Sequence, residues 1–233
     1  MSFFRSITAI YHRIRITSQM RHLDISSSGE EDDMAYVELK SGLRFYGMMP
    51  REKDKKYYKL LSSSTKQRIP FIAYQVALDI VIRYVEGGLK IGGPRKESMY
   101  KVRPGDTIAE MGAYMGYYTL YLAEKAGKEG KVIAIEPMPD NLKYLKKNVS
   151  YNKLKNVIVV EKGVWNSNET QYFFQKSNDT QSASMVLKSD ESNKFSIEVN
   201  TLDTILKESN VSKVDFMIIQ LNGVEPEALH GLT

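Results

Sequence analysis

Two carboxylates and two glycines at fixed spacing carry the first chemical signal in this sequence. Glu110 ends a short apolar run, Thr107-Ile108-Ala109, and the chain then turns through Gly112 and Gly116 into a helical pattern. A second apolar run at 132–135 ends in Glu136, twenty residues beyond Gly116. Strand, glycine turn, helix, strand and acid form the opening half of a nucleotide-binding α/β sheet. In that arrangement glycines let backbone N–H groups approach a ligand, and the acid at the second strand's end meets ribose hydroxyls. The competing reading is a tight strand-to-helix turn with unrelated surface acids, which the combined spacing disfavours.

The turn is not built for phosphate. A dinucleotide fingerprint needs G-x-G-x-x-G, and this chain reads E-x-G-x-x-x-G; a Gly-Lys-Ser/Thr phosphate loop is also missing. A ligand with a nucleoside, a carboxylate and no phosphate fits better, and S-adenosylmethionine is such a ligand. Gly112 would let the backbone approach its methionine part. The helix start beyond the turn would offer free N–H groups to its carboxylate. Glu110 would accept from its ammonium group, directly or through water, and Glu136 would take both ribose hydroxyls.

At these residues the sequence resembles the FkbM-type family of S-adenosylmethionine-dependent methyltransferases. The family pattern runs GD-x-x-x-D-x-G-A-N-x-G-Y-Y-T-L, then G-K-V-x-A-x-E-P-x-P, then a lysine-rich helix ending in K-N. This chain has GDTIAEMGAYMGYYTL, GKVIAIEPMP and NLKYLKKNVSYNKLKNVIVV, and the likeness continues through VNTLDTIL to VDFMIIQLNGVEPEALHGL. The resemblance implies a Rossmann-like class I methyltransferase sheet, mostly parallel, and a cofactor site at Glu110, Gly112, Ala113, Tyr114, Gly116, Glu136 and Pro137. Three departures stand out. Glu110 replaces an Asp, Tyr114 replaces the Asn of G-A-N, and the family's K-I-D-V-E-G appears as Ile218-Ile219-Gln220-Leu221-Asn222-Gly223. Asp203 and Glu225 keep the pattern. Gln220, Asn222 and Glu225 are therefore the acceptor-side candidates, and no catalytic base is named.

The remaining elements must position this site. Of the 233 residues, 42% are hydrophobic and 26% charged, a globular rather than a disordered balance. No cysteine is present, which excludes disulfides, thiolate-ligated zinc and a thiol nucleophile. The three scattered histidines, His12, His22 and His230, argue against a histidine metal site. A net charge of +5 permits nucleic acid or an anionic membrane without arguing for either. Residues 1–33 read as a basic amphipathic segment, able to lie on a membrane surface or cap the domain, then a solvated linker, SSSGEEDD. Arginine-rich, acid-poor composition at the start also fits a mitochondrial leader.

Residues 34–100 read as an N-terminal hairpin and helices. AYVELKSGLRFYG alternates on both sides of Lys40-Ser41-Gly42. A short helix is expected over 54–61. Ala73, Val76, Ala77, Ile80, Val81 and Tyr84 form a helical stripe, with Asp79 and Arg83 on another face. Residues 101–233 read as the cofactor domain. Tyr118, Leu122 and Ala126 share one helical face; Leu142, Leu145 and Val149 share another, with Lys143, Lys146 and Lys147 outside. NVIVVE and VDFMIIQL read as parallel strands buried on both sides. ETQYFF and FSIEVN read as an antiparallel excursion carrying a mobile loop. The sheet is expected to stop after its fourth parallel strand, exposing an edge for a missing segment or a second copy.

The expected chemistry is methyl transfer to a hydroxyl of a small-molecule or glycan acceptor, in the cytoplasm. The acceptor would sit over the C-terminal strand ends near Gln220 and Asn222, beside the loop between the two antiparallel strands. The alternatives are a non-catalytic cofactor-binding scaffold and an RNA methyltransferase. The last lacks the N-P-P-Y-like tetrad expected after the fourth strand.

Overall fold

The computed structural model describes residues 19–85, 101–174 and 194–232. The chain divides into two compact units, Met1–Lys96 and Glu97–Thr233, four residues before the expected boundary at 100/101. The expected N-terminal amphipathic segment before residue 19 and the loop between the antiparallel strands lie outside the described residues.

In the first unit, β1 (Ile25–Glu31), β2 (Met34–Leu39) and β3 (Arg44–Gly47) form one antiparallel sheet in that order. The β2–β3 hairpin follows the alternation in the sequence. β1 does not: the segment expected to be a solvated linker pairs with β2 instead. Asp32 and Asp33 join the two strands with φ of 52° and 58°, the left-handed pair that a two-residue hairpin turn demands. Of β1 only Ile25 is buried, so a strand paired through its backbone carries almost no apolar pattern. Arg44 binds the acids of this sheet, with Nε donating to Glu38 and Nη1 to Glu31, both at 2.6 Å. Its guanidinium also lies 4.4 Å from the Tyr36 ring centre.

Short helices follow: α1 (Lys55–Tyr58), α2 (Ser63–Arg68) and α3 (Tyr74–Asp79). Ser62 caps α2, accepting from the Thr65 N–H at 3.3 Å. The stripe expected on α3 is buried at Ala73, Val76, Ala77, Ile80 and Val81. Asp79, expected on a separate face, is buried as well and accepts from Gln75 Nε2 at 3.0 Å. A π-helical turn, Ile80–Val85, replaces the α-helix after Asp79, so regular i,i+4 spacing does not continue to residue 83.

The second unit holds a parallel sheet in the order β10-β4-β5-β6, from β4 (Thr107–Met111), β5 (Lys131–Ile135), β6 (Val157–Val160) and β10 (Phe216–Ile219). α4 (Tyr117–Ala126) and α5 (Pro139–Tyr151) connect the first three strands. Strand β4 is buried on both faces. Ile108 packs with Tyr118, Leu122 and Ala126 of α4, while Ala109 and Met111 pack with Leu202 and Ile205 of α6 (Leu202–Glu208). That two-sided burial is why 107–109 reads as a short apolar run rather than an alternating one. β6 and β10 are less buried than a strand covered on both faces would be, although an exposed edge at the fourth parallel strand is what the sequence leads one to expect. Each has one sheet neighbour among the described residues, all four β6 residues are only half-buried, and Met217 of β10 is 40% exposed.

A second small sheet, in the order β7-β9-β8, combines β7 (Gly163–Val164), β8 (Glu169–Phe174) and β9 (Lys194–Asn200). β8 and β9 are antiparallel, as their alternation suggests; the two-residue β7 runs parallel to β9. Thr201 caps α6 by accepting from the Thr204 N–H at 3.2 Å. α7 (Glu225–His230) closes the described chain.

The helices also brace the glycine turn. Leu145 of α5 is fully buried, and a Cβ on Gly116, where φ is +84°, would lie 2.6 Å from its Cδ1. Leu145→Ala should cost about 2–5 kcal/mol by urea unfolding. Gly116→Ala should cost less in that background than in the wild type, because one of its two penalties is the clash with Leu145. Equal costs in the two backgrounds would contradict this contact.

Candidate functional site

The turn between β4 and α4 lies at the C-terminal end of the sheet, where β5 leaves on one side of β4 and β10 on the other. Open α/β sheets bind ligands at this reversal of strand order. The N–H groups of Gly112 and Ala113 both donate to the Ile135 carbonyl, at 2.9 and 3.0 Å, which folds the turn over the end of β5. Gly112 has φ +88°, and a Cβ there would come within 2.2 Å of the Gln220 carbonyl oxygen. No side chain fits at that position. Glycine is required by conformation and by the close approach of the β10 end.

Tyr114 occupies the left-handed region with φ 54°, which costs a bulky residue roughly 1–3 kcal/mol. The Asn of the resembled pattern tolerates that region better than Tyr does. What holds Tyr114 there is a buried hydrogen bond from its N–H to Glu136 Oε2, at 2.8 Å. The ring is itself buried, so Tyr114 belongs to the turn's packing as well as to its backbone.

Glu136 is the centre of the arrangement. It is 4% exposed, and its other oxygen, Oε1, accepts from the Met138 N–H and from Asn141 Nδ2, both at 3.0 Å. Pro137, half-buried, carries the chain from Glu136 into α5. An ionised carboxylate has about four acceptor sites. Three are already filled within the protein, so Glu136 alone does not have room for both ribose hydroxyls, contrary to the expectation from sequence. Burial pushes its pKa above the ordinary carboxylate value, against the three donors that pull it down.

Glu110 is not an open acid at the strand mouth. It is 3% exposed and accepts from Thr119 Oγ1 of α4 at 2.6 Å. The neighbouring Tyr118 hydroxyl has its pKa raised by burial and, secondarily, by the Glu110 charge. Glu110 thus ties the end of β4 to the first turn of α4.

On the acceptor side, Gln220 continues the β10 ladder by donating its N–H to Met111 O at 2.9 Å, which sets it beside Gly112. Asn222 is exposed and left-handed, with φ 55°, a conformation that suits Asn. Glu225 reaches back from the start of α7 and accepts from the N–H groups of Leu221 and Gly223, each at 3.0 Å. Its carboxylate shapes the loop after β10. The structure therefore joins Gly112 to Gln220 and Tyr114 to Glu136, and ties Glu225 to the backbone rather than leaving it free for an acceptor.

Three residues of the site were missed by the sequence reading. Asn141 holds Glu136. Asn148, fully buried, donates from Nδ2 to Met115 O at 2.7 Å and anchors the glycine turn to α5. Thr119 holds Glu110. A signal for the two asparagines did exist: they stand seven apart on the face that also carries Leu142 and Leu145, where a polar side chain needs a buried partner.

A glycine turn and buried acid at the crossover of a β10-β4-β5-β6 sheet define a Rossmann-like class I methyltransferase site. The Methyltransferase FkbM domain matches residues 110–233, and the chain belongs to that S-adenosylmethionine-dependent family. Protein-L-isoaspartate O-methyltransferase 1 of Archaeoglobus fulgidus is 34% identical over 59 residues, 25% of this chain and 27% of that protein. The chain thus matches about a quarter of that relative's length. A SAM-dependent methyltransferase from Aquifex aeolicus shows 28% identity over 38% of this chain and 43% of that one, with a TM-score of 0.29. Aeropyrum pernix fibrillarin, solved with natively bound S-adenosyl-L-methionine, shows 17% identity over 60% of this chain and 58% of that one, at a TM-score of 0.27.

The residues present fit that cofactor on two structural grounds: a turn from which side chains are excluded at Gly112, and an orphaned buried acceptor, Asn141 Oδ1, next to Glu136. The raised pKa of Glu136 fixes a sign. Between the unfolded carboxyl's pKa and the higher folded one, the folded protein holds a proton that the unfolded chain has lost, so stability falls as pH rises through that interval. Hydroxyl binding needs the ionised form. Calorimetric affinity for S-adenosylhomocysteine should therefore strengthen as pH rises above the ordinary carboxylate range and then level off, and Glu136→Gln should weaken and flatten the profile. A flat wild-type profile across that interval would contradict it.

Proposed function

We propose that this chain methylates a hydroxyl oxygen of a small-molecule or glycan acceptor. The observation that supports the reading is the close approach of Gly112 to Gln220 across the β4–β10 crossover, which puts the glycine turn beside the end of β10. S-adenosylmethionine, when bound, supplies a methyl group activated by a sulfonium. Gly112, Ala113 and Tyr114 would border its methionine part, with Glu136 at the ribose. The curated relative from Archaeoglobus fulgidus is by its name an O-methyltransferase, which supports oxygen as the accepting atom.

The chain's own contribution is positioning and exclusion of water. Gln220 and Asn222 carry amides, which are not bases, and both Glu225 oxygens already accept from backbone N–H groups. Rate enhancement would come from holding the acceptor in line and from desolvating the charged centre. A second reading, a cofactor-binding module without turnover, is favoured by the two amides and by Glu225 being tied to the backbone of its own loop.

One experiment separates them. Calorimetry with S-adenosylmethionine should show binding that Gly112→Arg abolishes, since a side chain there collides with Gln220. Release of S-adenosylhomocysteine is then measured across sugar, lipid and peptide acceptors. Turnover with hydroxyl acceptors supports the enzyme, and binding without turnover on any of them supports the module. Turnover confined to amines, or binding that Gly112→Arg leaves unchanged, would overturn the proposal.

A further inference from the structure

The acceptor capacity of Glu136 is nearly exhausted before any ligand arrives. Oε1 accepts from the Met138 N–H and Asn141 Nδ2, which fills its two lone pairs. Oε2 accepts from the Tyr114 N–H and keeps one site. A ribose diol presents two hydroxyl donors. One can go to Glu136 Oε2, and the second must find another acceptor or lose its hydrogen bond on leaving water, which is costly.

Asn141 supplies that acceptor. Its side chain is 3% exposed, and Oδ1 has no hydrogen-bond partner among the described residues, an unusual state for a buried carbonyl. The amide cannot be turned round to relieve this, because Oδ1 would then face the ionised Oε1 of Glu136. Since Nδ2 lies 3.0 Å from Glu136 Oε1, covalent geometry keeps Oδ1 no farther from that oxygen than this distance plus one amide width. We propose that the ribose diol of the cofactor is divided between two residues, with one hydroxyl donated to Glu136 Oε2 and the other to Asn141 Oδ1. Asn141 is thereby a cofactor-contacting residue as well as a clamp on Glu136. The assignment rests on the cofactor reading above.

The test is calorimetric titration of the full chain with S-adenosylhomocysteine and with its 2′-deoxy and 3′-deoxy analogues. In the wild type both analogues should bind roughly 10-fold more weakly than the parent, the size of one hydrogen bond each. Asn141→Ala should weaken the parent and one analogue about 10-fold more than it weakens the other analogue. Thermal unfolding without ligand checks that the variant is folded, and the wild-type comparison stands without any variant. If either deoxy analogue binds the wild type as tightly as the parent, only one hydroxyl is held and the assignment is overturned. Equal losses for all three ligands in Asn141→Ala would reduce Asn141 to a clamp and overturn it too. Failure of the wild type to bind S-adenosylhomocysteine at all would remove the cofactor reading first.

Discussion

A buried carboxylate, Glu136, joins the two turns that make the cofactor site. Its Oε2 holds the N–H of Tyr114 in the β4–α4 turn, and its Oε1 holds Met138 and Asn141 at the start of α5. Without this link the left-handed Tyr114 loses a buried hydrogen bond that offsets its strain, and α5 loses a tie to the turn it packs against. Three donors around one carboxylate can also offset much of the cost of burying it. The residual cost is visible as the upward shift of its pKa. Glu110 does similar work on the other side, tying β4 to α4 through Thr119.

These ties explain why the two halves of the site differ. The cofactor half is held on every side by buried hydrogen bonds: Asn148 to Met115, Glu136 to Tyr114, and Ile135 O to Gly112 and Ala113. The loop after β10, an edge strand among the described residues, is exposed and shaped by Glu225, and it carries amides where the resembled pattern carries charges. In such an arrangement the glycine turn is preorganised by its own buried hydrogen bonds.

Much of this was legible because the sheet's physics leaves plain marks. A strand buried on both faces must be apolar throughout, and a turn that packs against a neighbouring backbone must be glycine, so β4, β5 and Gly112 were readable from residue types. β1 was not readable. A strand that pairs through its backbone and buries only Ile25 looks like a polar linker, and its left-handed Asp32–Asp33 turn carries no glycine to announce it. The half-burial of β6 was missed for the opposite reason, since an apolar run does not reveal how many neighbours a strand has. Among the site acids, residue type predicted location but not occupancy. Glu110, Glu136 and Glu225 stand at strand ends or next to the turns, as expected, yet each already accepts hydrogen bonds that no spacing rule would show.

The central claim is that Glu136 organises both turns, and backbone amide exchange measures this most directly. In Glu136→Ala the N–H groups of Tyr114 and Met138 should exchange together, much faster than in the wild type. Those of Gly112 and Ala113, bonded to Ile135 O, should change far less. Unchanged protection of Tyr114 and Met138 in that variant would contradict the account.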